Sequence, residues 1–169
     1  NPVSACVVFK MAKPSKQDYR HFMVKTVEGP DDFSTMKEVV YRRYHRLKEE
    51  KAPLPQLIVI DGGKGQLSAA CESLKELELY GKIAIVGIAK RLEEIYYPED
   101  SIPLYLDKNS DTLKVIQHLR DEAHRFGITF HRNRRSKGQI VSELDSIKGI
   151  GEETKKMLLK HFKSIKRIK

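Results

Sequence analysis

Asp61 stands where a buried strand would meet a turn. Four apolar residues, from Leu57 to Ile60, precede it, and the glycine-rich stretch 62–65 follows it. The apolar run predicts a strand buried on both faces, and the glycines permit a sharp turn or a close approach of the backbone to a phosphate. Because open α/β sheets place their ligands at the carboxyl ends of strands, Asp61 is a candidate metal ligand. An ordinary strand-to-helix connection would show the same pattern.

His124 is a second candidate ligand, in a stretch crowded with ionisable residues at 120–125. Asp121 lies three residues before it, and residues three apart share one face of a helix. Asp121 could therefore orient the imidazole, since ligand histidines commonly donate their second N–H to a carboxylate or a carbonyl. A solvated, charged helix face is the alternative explanation.

Lys64 lies inside the glycine turn and could contact a phosphate of DNA or of a nucleotide. The turn lacks the spacing of a Walker A motif and the Ser or Thr after the lysine that would hold Mg²⁺. A nucleotide-binding protein is therefore the least favoured of the hypotheses. Simple solvent exposure at a turn explains Lys64 as well as a DNA contact does.

Asp31 and Asp32 form an acidic pair at a predicted helix start. Aspartate at such a position caps free N–H groups and suits the positive end of the helix dipole. Capping is therefore the default explanation for this pair.

Residues 147–151 show the hydrophobic-x-Gly-hydrophobic-Gly pattern of a helix-hairpin-helix. Two glycines allow backbone N–H groups to point at a phosphate, next to a helix N-terminus that already favours anions. Lys155, Lys156 and Lys160 add positive charge. A helix C-cap glycine followed by an unrelated turn would explain one glycine but accounts less well for two.

Hydrophobic periodicity and turn residues predict the elements that must position these groups. In chain order they are an antiparallel strand pair at 3–10 and 19–27 joined by a turn at 13–17, a helix from 31 to about 50, a strand at 57–61, a helix at about 65–80, a strand at 83–89, a small hairpin or irregular connection at 90–108, and a helix at about 110–127. The second helix and its two flanking strands predict a β-α-β unit with a parallel strand pair.

The positive charge is concentrated at the end of the chain. Of 32 Lys and Arg residues, 12 lie after residue 131, together with only 4 of the 23 Asp and Glu residues. A basic tail favours a polyanion as partner, through phosphate neutralisation and counterion release. The apolar-free stretch 132–138 predicts a linker, and the small core after it suffices for two or three short helices.

Length and composition limit the remaining possibilities. A chain of 169 residues can bury one good core and a small second domain. Cys6 and Cys71 lie in apolar surroundings, which favours a reduced intracellular compartment, the cytoplasm, over a disulfide-stabilised secreted protein. No apolar run approaches the ~20 residues of a membrane span, and no signal peptide is visible, so we expect no membrane partner.

Four segments together match the motifs of one known family. They read GPDDF at 29–33, IVIDGGKGQL at 58–67, RDEAHRF at 120–126 and ITFHR at 128–132. In these segments the chain closely resembles UvrC, the bacterial excision-repair endonuclease subunit. The resemblance extends over essentially the whole chain.

The resemblance implies an α/β architecture with an RNase H-like mixed sheet and flanking helices at residues 1–131. A basic linker would follow at 132–142, and 143–169 would begin a small all-α helix-hairpin-helix domain. Family members cut the damaged strand on the 5′ side of a lesion, using Mg²⁺ or Mn²⁺ held by acidic residues and a histidine.

The resemblance also assigns roles to individual residues. Asp61 matches the family's catalytic aspartate and metal ligand, His124 matches the histidine of its last helix, and Asp32 matches a further acidic position. The expected DNA-binding residues are Lys64, Arg132, Arg134, Arg135, Lys148, Gly149, Ile150, Gly151 and Lys155. The implied partners are damaged double-stranded DNA and, through parts of the full-length protein outside this chain, UvrB.

In one respect the chain departs from the family pattern. The family's first catalytic aspartate lies on a strand just before the one at 3–9, and this chain, which opens on Asn1-Pro2, does not contain that strand. We therefore expect a fragment with weak or no nuclease activity of its own. The GIY-YIG nuclease that makes the 3′ cut and the UvrB-binding segment are also outside the chain.

A non-catalytic module that binds duplex DNA is the principal alternative function. In such a module the acidic residues would only stabilise the fold, while the hairpin at 147–151 and the arginines at 132, 134 and 135 hold the duplex. Metal-dependent cleavage distinguishes the two hypotheses.

Overall fold

A computed structural model describes the backbone of residues 3–25, 31–89, 94–145 and 147–162, and their side chains except at 131–145 and 159. The chain divides into two compact units, Asn1–Gly127 and Ile128–Lys169. The last two residues of the predicted strand at 19–27 lie outside the described residues. The predicted domain limits at 131 and 142 stay predictions.

The first unit opens with an antiparallel strand pair, as predicted. Strand β1 (Val3–Cys6) pairs with β4 (Arg20–Met23). Between them lie the two-residue strands β2 (Phe9–Lys10) and β3 (Lys13–Pro14) and a short 3-10 helix, Lys16–Asp18.

The tight turn of this region was predicted in the wrong place. It lies at Met11 and Ala12, with φ of 51° and 59°, rather than at 13–17. Non-glycine residues rarely adopt positive φ, so composition offers no signal for a turn at these two positions.

Helix α1 (Asp32–Glu49) begins where the sequence predicted, and Asp31 caps it. The Asp31 carboxylate accepts hydrogen bonds from the backbone N–H groups of Phe33 and Ser34, both at 3.0 Å, and the Ser34 hydroxyl donates to its second oxygen. These bonds lower the pKa of Asp31, the Ser34 hydroxyl contributing most. The capping interpretation is therefore confirmed for Asp31.

The centre of the first unit is the predicted β-α-β unit. Strand β5 (Leu57–Asp61) lies parallel to β6 (Ala84–Ile88), and helix α2 (Lys64–Glu76) connects them. Strands β7 (Glu94–Tyr96) and β8 (Leu104–Tyr105) extend the sheet antiparallel, in the order β5-β6-β7-β8. The predicted mixed sheet with flanking helices is thus confirmed.

The main core lies where α1, α2 and the sheet meet. Its fully buried members include Ala70 and Leu74 of α2, which pack with Ile58 and Ile60 of β5. Truncating a fully buried leucine such as Leu74 to alanine costs about 2–5 kcal/mol. This packing holds β5 in place, and with it the backbone of Asp61.

Helix α3 runs from Asp111 to Asp145, so the predicted helix end near Gly127 was wrong. Ser110 caps its start, its Oγ accepting from the Leu113 N–H at 3.2 Å. A Cβ at Gly127 would lie 3.6 Å from that of Ala5, so the glycine lies inside the helix against a strand residue. The apolar-free stretch 132–138 also falls within the helix, because its arginines and lysine are good helix formers even without an apolar stripe.

The second unit continues with the predicted hairpin and helix α4 (Glu152–Phe162). Gly149 has φ of 99°, a conformation that favours glycine. The Ile150 N–H donates to the Ile147 carbonyl at 3.3 Å, and the Gly151 carbonyl accepts from the Lys155 N–H at 3.0 Å as α4 begins. Within the described part of the chain, no helix is both long and apolar enough to cross a membrane.

Candidate active site

Asp61 is the last residue of β5, opposite Ile88 of the parallel neighbour β6. The chain turns immediately after it, because the Gly62 N–H donates to the carbonyls of Ile60 at 3.1 Å and Ile88 at 3.3 Å. Ile58 and Ile60 are buried, whereas the Asp61 side chain remains 35% exposed. The strand therefore presents this carboxylate to solvent at the carboxyl end of a buried sheet, the position predicted for a ligand.

The glycines of the turn serve close packing. A Cβ at Gly65 would lie 2.2 Å from Cε1 of Phe33, and one at Gly62 would lie 2.9 Å from the Cβ of Gln66. The Phe33 ring at the start of α1 thus rests directly on the backbone of α2. Gly62 and Gly65 therefore permit this packing even when no phosphate is bound, whereas a Cβ at Gly63 would make only an ordinary contact, 3.7 Å from Gln66 Oε1.

Helix α3 brings two side chains to the Asp61 carboxylate. His124 Nε2 lies 2.8 Å from Asp61 Oδ2, and Arg120 Nε lies 3.3 Å from Asp61 Oδ1. The two residues are four positions apart and so share one helix face. Their side chains differ in accessibility, with 55% of His124 exposed against 21% of Arg120. The two distances show that each oxygen of the Asp61 carboxylate faces a different side chain.

Asp121 does not orient His124 in this arrangement. The Nε2 atom of His124 bonds to Asp61, and no hydrogen bond joins Asp121 to His124 among the described residues. Asp121 is exposed, which agrees with the alternative explanation of a solvated, charged helix face. The carboxylate that contacts the imidazole comes from a strand 63 residues away in sequence.

A second charged cluster lies on the same helix, with Glu122 at its centre. Arg125 binds this carboxylate through Nε and Nη2, each at 2.7 Å, and the buried Tyr19 donates its hydroxyl to Oε1 at 3.0 Å. The Arg125 hydrogen bonds, with a smaller contribution from Tyr19, lower the pKa of Glu122 to about 2. Burial and the Glu122 carboxylate raise the pKa of Tyr19 to about 12.

Phe126 adds ring contacts next to this cluster. It stacks on His21 with ring centroids 3.7 Å apart and meets Tyr19 edge-on at 5.0 Å. His21 Nε2 also lies 3.1 Å from the Phe126 carbonyl oxygen. Since His21 and Tyr19 flank the start of β4, these contacts join α3 to that part of the first unit and so help to set where Arg120 and His124 point.

Asp61 and His124 fit part of a divalent-metal site. Neighbouring ligand atoms around octahedral Mg²⁺, each at about 2.1 Å from the ion, lie about 3 Å apart. The 2.8 Å between His124 Nε2 and Asp61 Oδ2 is close to that spacing. Among the described residues no group of three or more His, Cys, Asp or Glu side chains forms a fuller site. Mg²⁺ commonly combines one or two carboxylates with waters and substrate phosphates, and this pair suits that pattern.

Asp32 and Lys64 lie in other surroundings. Asp32 is exposed in the first turn of α1, where its charge suits the helix dipole. Lys64 donates from Nζ to the Ser101 carbonyl at 2.7 Å and lies over the Tyr96 ring at 5.1 Å from the centroid. A catalytic role for Asp32 and a DNA contact for Lys64 stay predictions.

The other expected DNA-binding residues belong to the second unit. Arg132, Arg134 and Arg135 lie in α3, and their side chains are outside the described residues. Lys148 is exposed on the hairpin, and Lys155 forms an ion pair with Glu152 at 3.6 Å. Acidic Glu152 and Glu153 in the first turn of α4 oppose anion binding at that helix end.

Sequence reasoning missed four residues of these clusters: Arg120 of the first, and Glu122, Arg125 and Tyr19 of the second. Arg120 belongs to the RDEAHRF segment, but it was not selected as a site residue. Its position four residues before His124 was a usable signal, because residues i and i+4 share a helix face. Tyr19 gave no such signal, since its bond to Glu122 spans 103 residues.

A mixed α/β fold with a carboxylate and an imidazole paired at the carboxyl end of strand β5 is consistent with an RNase H-like domain that carries a candidate hydrolytic site. Residues 1–128 match the family described as UvrC RNAse H endonuclease domain. The chain belongs to this family, which confirms the resemblance found in the sequence.

Full-length relatives agree with this assignment. Over all 169 residues the chain is 71% identical to the UvrABC system protein C of Flavobacterium johnsoniae and 70% identical to that of Porphyromonas gingivalis. It is 53% identical over 171 aligned residues, covering 99% of the chain, to the UvrABC system protein C of Bacteroides thetaiotaomicron. In each case the chain spans 28% of the relative's length.

Proposed function

We propose that this chain is the part of a UvrC protein that cuts the damaged strand on the 5′ side of a lesion during nucleotide excision repair. The reaction would depend on Mg²⁺ or Mn²⁺ and would take place on double-stranded DNA in the bacterial cytoplasm. Membership of an RNase H endonuclease family supports the nuclease activity. The relatives' name, UvrABC system protein C, supports work alongside other Uvr proteins, and we propose UvrB as the partner of the full-length protein.

One observation supports this proposal most strongly: the 2.8 Å contact between His124 Nε2 and Asp61 Oδ2. It joins the end of a buried strand to an exposed face of a distant helix. A purely structural ion pair could lie anywhere on the surface. This one lies at the carboxyl end of a parallel strand pair, where α/β sheets bind their ligands.

The side chains have separable tasks in the proposed reaction. When bound, the cation supplies Lewis-acid stabilisation of a phosphodiester and activation of water. Asp61 provides the anionic oxygen that holds the cation, and His124 provides a neutral nitrogen ligand or a proton carrier at Nε2. With 55% of its side chain exposed, His124 can reach both substrate and solvent. Further ligands would come from water, from phosphate oxygens or from residues outside those described.

The proposal is tested by nicking of a lesion-containing duplex in the presence of Mn²⁺, using both this chain and the full-length protein with its partners. Asp61→Asn should lower the rate at least about a hundredfold, because even residues that only orient a metal ligand are worth 10–100-fold. His124→Gln should lower it by a similar factor. Asp111→Asn, a matched loss of one exposed carboxylate on the same helix, should leave the rate unchanged. Full activity of Asp61→Asn would exclude the proposed chemistry.

The same experiment tests the expectation that this chain alone is a weak nuclease. The full-length protein should cut, while this chain should cut poorly or not at all. Rapid Mn²⁺-dependent cutting by this chain, lost in Asp61→Asn, would show instead that its own residues suffice.

Duplex binding without cleavage is the second candidate function, and the hairpin at 147–151 favours it. Gly149 adopts the left-handed conformation at φ of 99°, and exposed Lys148 lies beside it. We propose that Lys148, Gly149, Ile150, Gly151 and Lys155, together with the three arginines of α3, contact the phosphate backbone.

Fluorescence anisotropy over a range of salt concentrations tests this binding surface. Lys148→Gln should weaken duplex binding and reduce the slope of log affinity against log salt by about one. Lys82→Gln removes the same charge from an exposed position in the first unit and serves as the control. Equal effects of the two substitutions would argue against a specific hairpin contact.

A further inference from the structure

Both oxygens of the Asp61 carboxylate face side chains of α3. One oxygen faces the His124 imidazole at 2.8 Å, and the other faces the Arg120 guanidinium at 3.3 Å. A cation that binds Asp61 must therefore compete with a resident positive charge. This competition arises from tertiary packing, because the arginine and the aspartate lie on different elements.

A cation alone would not readily displace the Arg120 guanidinium from Asp61. The Arg120 side chain is 21% exposed, much less than that of its neighbour His124 at 55%. A partly buried charge is weakly screened, so a divalent cation at Asp61 would repel the guanidinium strongly. It would also compete with Arg120 for the Asp61 carboxylate, whose Oδ1 lies 3.3 Å from Arg120 Nε. A replacement anion would remove both obstacles.

A nucleic-acid phosphate is the anion that suits this guanidinium. Arginine presents a planar fork of donors that binds phosphate oxygens in pairs, as it binds a carboxylate. The substrate of the proposed nuclease would bring such a phosphate to the same edge of the sheet.

We propose that Arg120 is a positioning residue that neutralises Asp61 in the free protein. When the Arg120 guanidinium binds a backbone phosphate of nucleic acid instead, Asp61 becomes available to a divalent cation. Divalent cation and nucleic acid therefore bind this site cooperatively. The inference rests on the proposed metal-dependent function. It adds that the free protein holds the cation weakly, and that the substrate itself opens the site.

The first test measures Mn²⁺ binding to this chain without DNA, from the loss of the free-ion electron paramagnetic resonance signal. Removing the resident charge in Arg120→Gln should tighten Mn²⁺ binding about tenfold, within the usual range of coupling between two sites. Arg120→Lys keeps the charge and should stay close to the unsubstituted protein. Arg46→Gln removes an arginine from an exposed ion pair on α1 and should change nothing.

Asp61→Asn separates failure of this inference from failure of the proposed function. If Asp61→Asn leaves Mn²⁺ affinity unchanged, the metal site itself is wrong, and the inference falls with it. If Asp61→Asn weakens Mn²⁺ binding but Arg120→Gln does not tighten it, only the competition is wrong. Thermal melting of each variant establishes that it is folded, and Arg120→Met provides a second neutral variant if Arg120→Gln is not.

The second test measures cooperativity as the affinity for a fluorescein-labelled 20-base-pair duplex, with and without Mn²⁺ at matched ionic strength. Mn²⁺ should tighten duplex binding about tenfold in the unsubstituted protein, since coupling is reciprocal. In Arg120→Gln, whose Asp61 is already available to the cation, the tightening should largely disappear. Tightening of equal size in both proteins would overturn the proposal.

Discussion

Helix α3 holds two clusters of similar chemistry in different settings. In each, a carboxylate is paired with one arginine and one ring residue: Asp61 with Arg120 and His124, and Glu122 with Arg125 and Tyr19. Asp61 is 35% exposed, whereas the Glu122 side chain is 10% exposed. The open cluster can exchange its partners for a cation or a phosphate. The buried cluster cannot do so without loss of packing, and it serves to fix the helix.

The largest effect on stability should come from the buried cluster. Glu122→Ala leaves the Tyr19 hydroxyl buried without its acceptor and removes both Arg125 bonds, so we expect a loss of about 2–3 kcal/mol in the free energy of unfolding. Urea denaturation measures it. Glu50→Ala, which removes an exposed carboxylate from its pair with Arg46, is the control and should cost less than about 1 kcal/mol. Equal costs would show that burial does not distinguish the clusters.

The buried cluster should also govern stability in acid. Because the pKa of Glu122 is about 2 in the folded protein against an ordinary value of 4.5, its contribution is present above pH 4.5 and is lost as the pH falls toward 2. Glu122→Gln should therefore flatten the decline in melting temperature over this interval. An unchanged decline in Glu122→Gln would contradict the assignment to Glu122.

A smaller effect should follow from removal of a single hydroxyl. Tyr19→Phe deletes the bond to Glu122 and should cost about 1–2 kcal/mol, measured by urea denaturation at pH 7.

Tyr19→Phe should also change how the free energy of unfolding depends on pH in the alkaline range. The folded pKa of Tyr19, about 12, exceeds its ordinary value of 10, so its contribution is present below pH 10 and is lost between pH 10 and 12. The phenylalanine variant should lose less stability over that interval. An unchanged loss of stability between pH 10 and 12 would show that Tyr19 is not the titrating group.

The smallest effect on stability should come from the open cluster. Asp61→Asn should change the free energy of unfolding by less than about 1 kcal/mol, since partly exposed ion pairs contribute little. The same variant is expected to lose nicking activity. A loss of stability as large as that of Glu122→Ala would mean that Asp61 has a structural role, and the comparison between the clusters would fail.

The sequence was most informative where a few adjacent residues encode the structure. The apolar run before Asp61, its parallel partner strand at 84–88 and the intervening helix were all predicted from periodicity. The cap at Asp31 followed from its residue type and position. The same local patterns misplaced the turn at residues 11–12 and ended α3 too early, because positive φ and an apolar-free helix leave no mark in composition.

By itself, the sequence determined most of the elements, the end of β5 as the place for a ligand, and the family to which the chain belongs. Only the tertiary structure decided which charges meet: Asp61 with His124 and Arg120, and Glu122 with Tyr19. The physical reason is the range of the interactions involved. Periodicity and capping act within a few residues, whereas the partner of a carboxylate depends on how elements 60 to about 100 residues apart pack against each other.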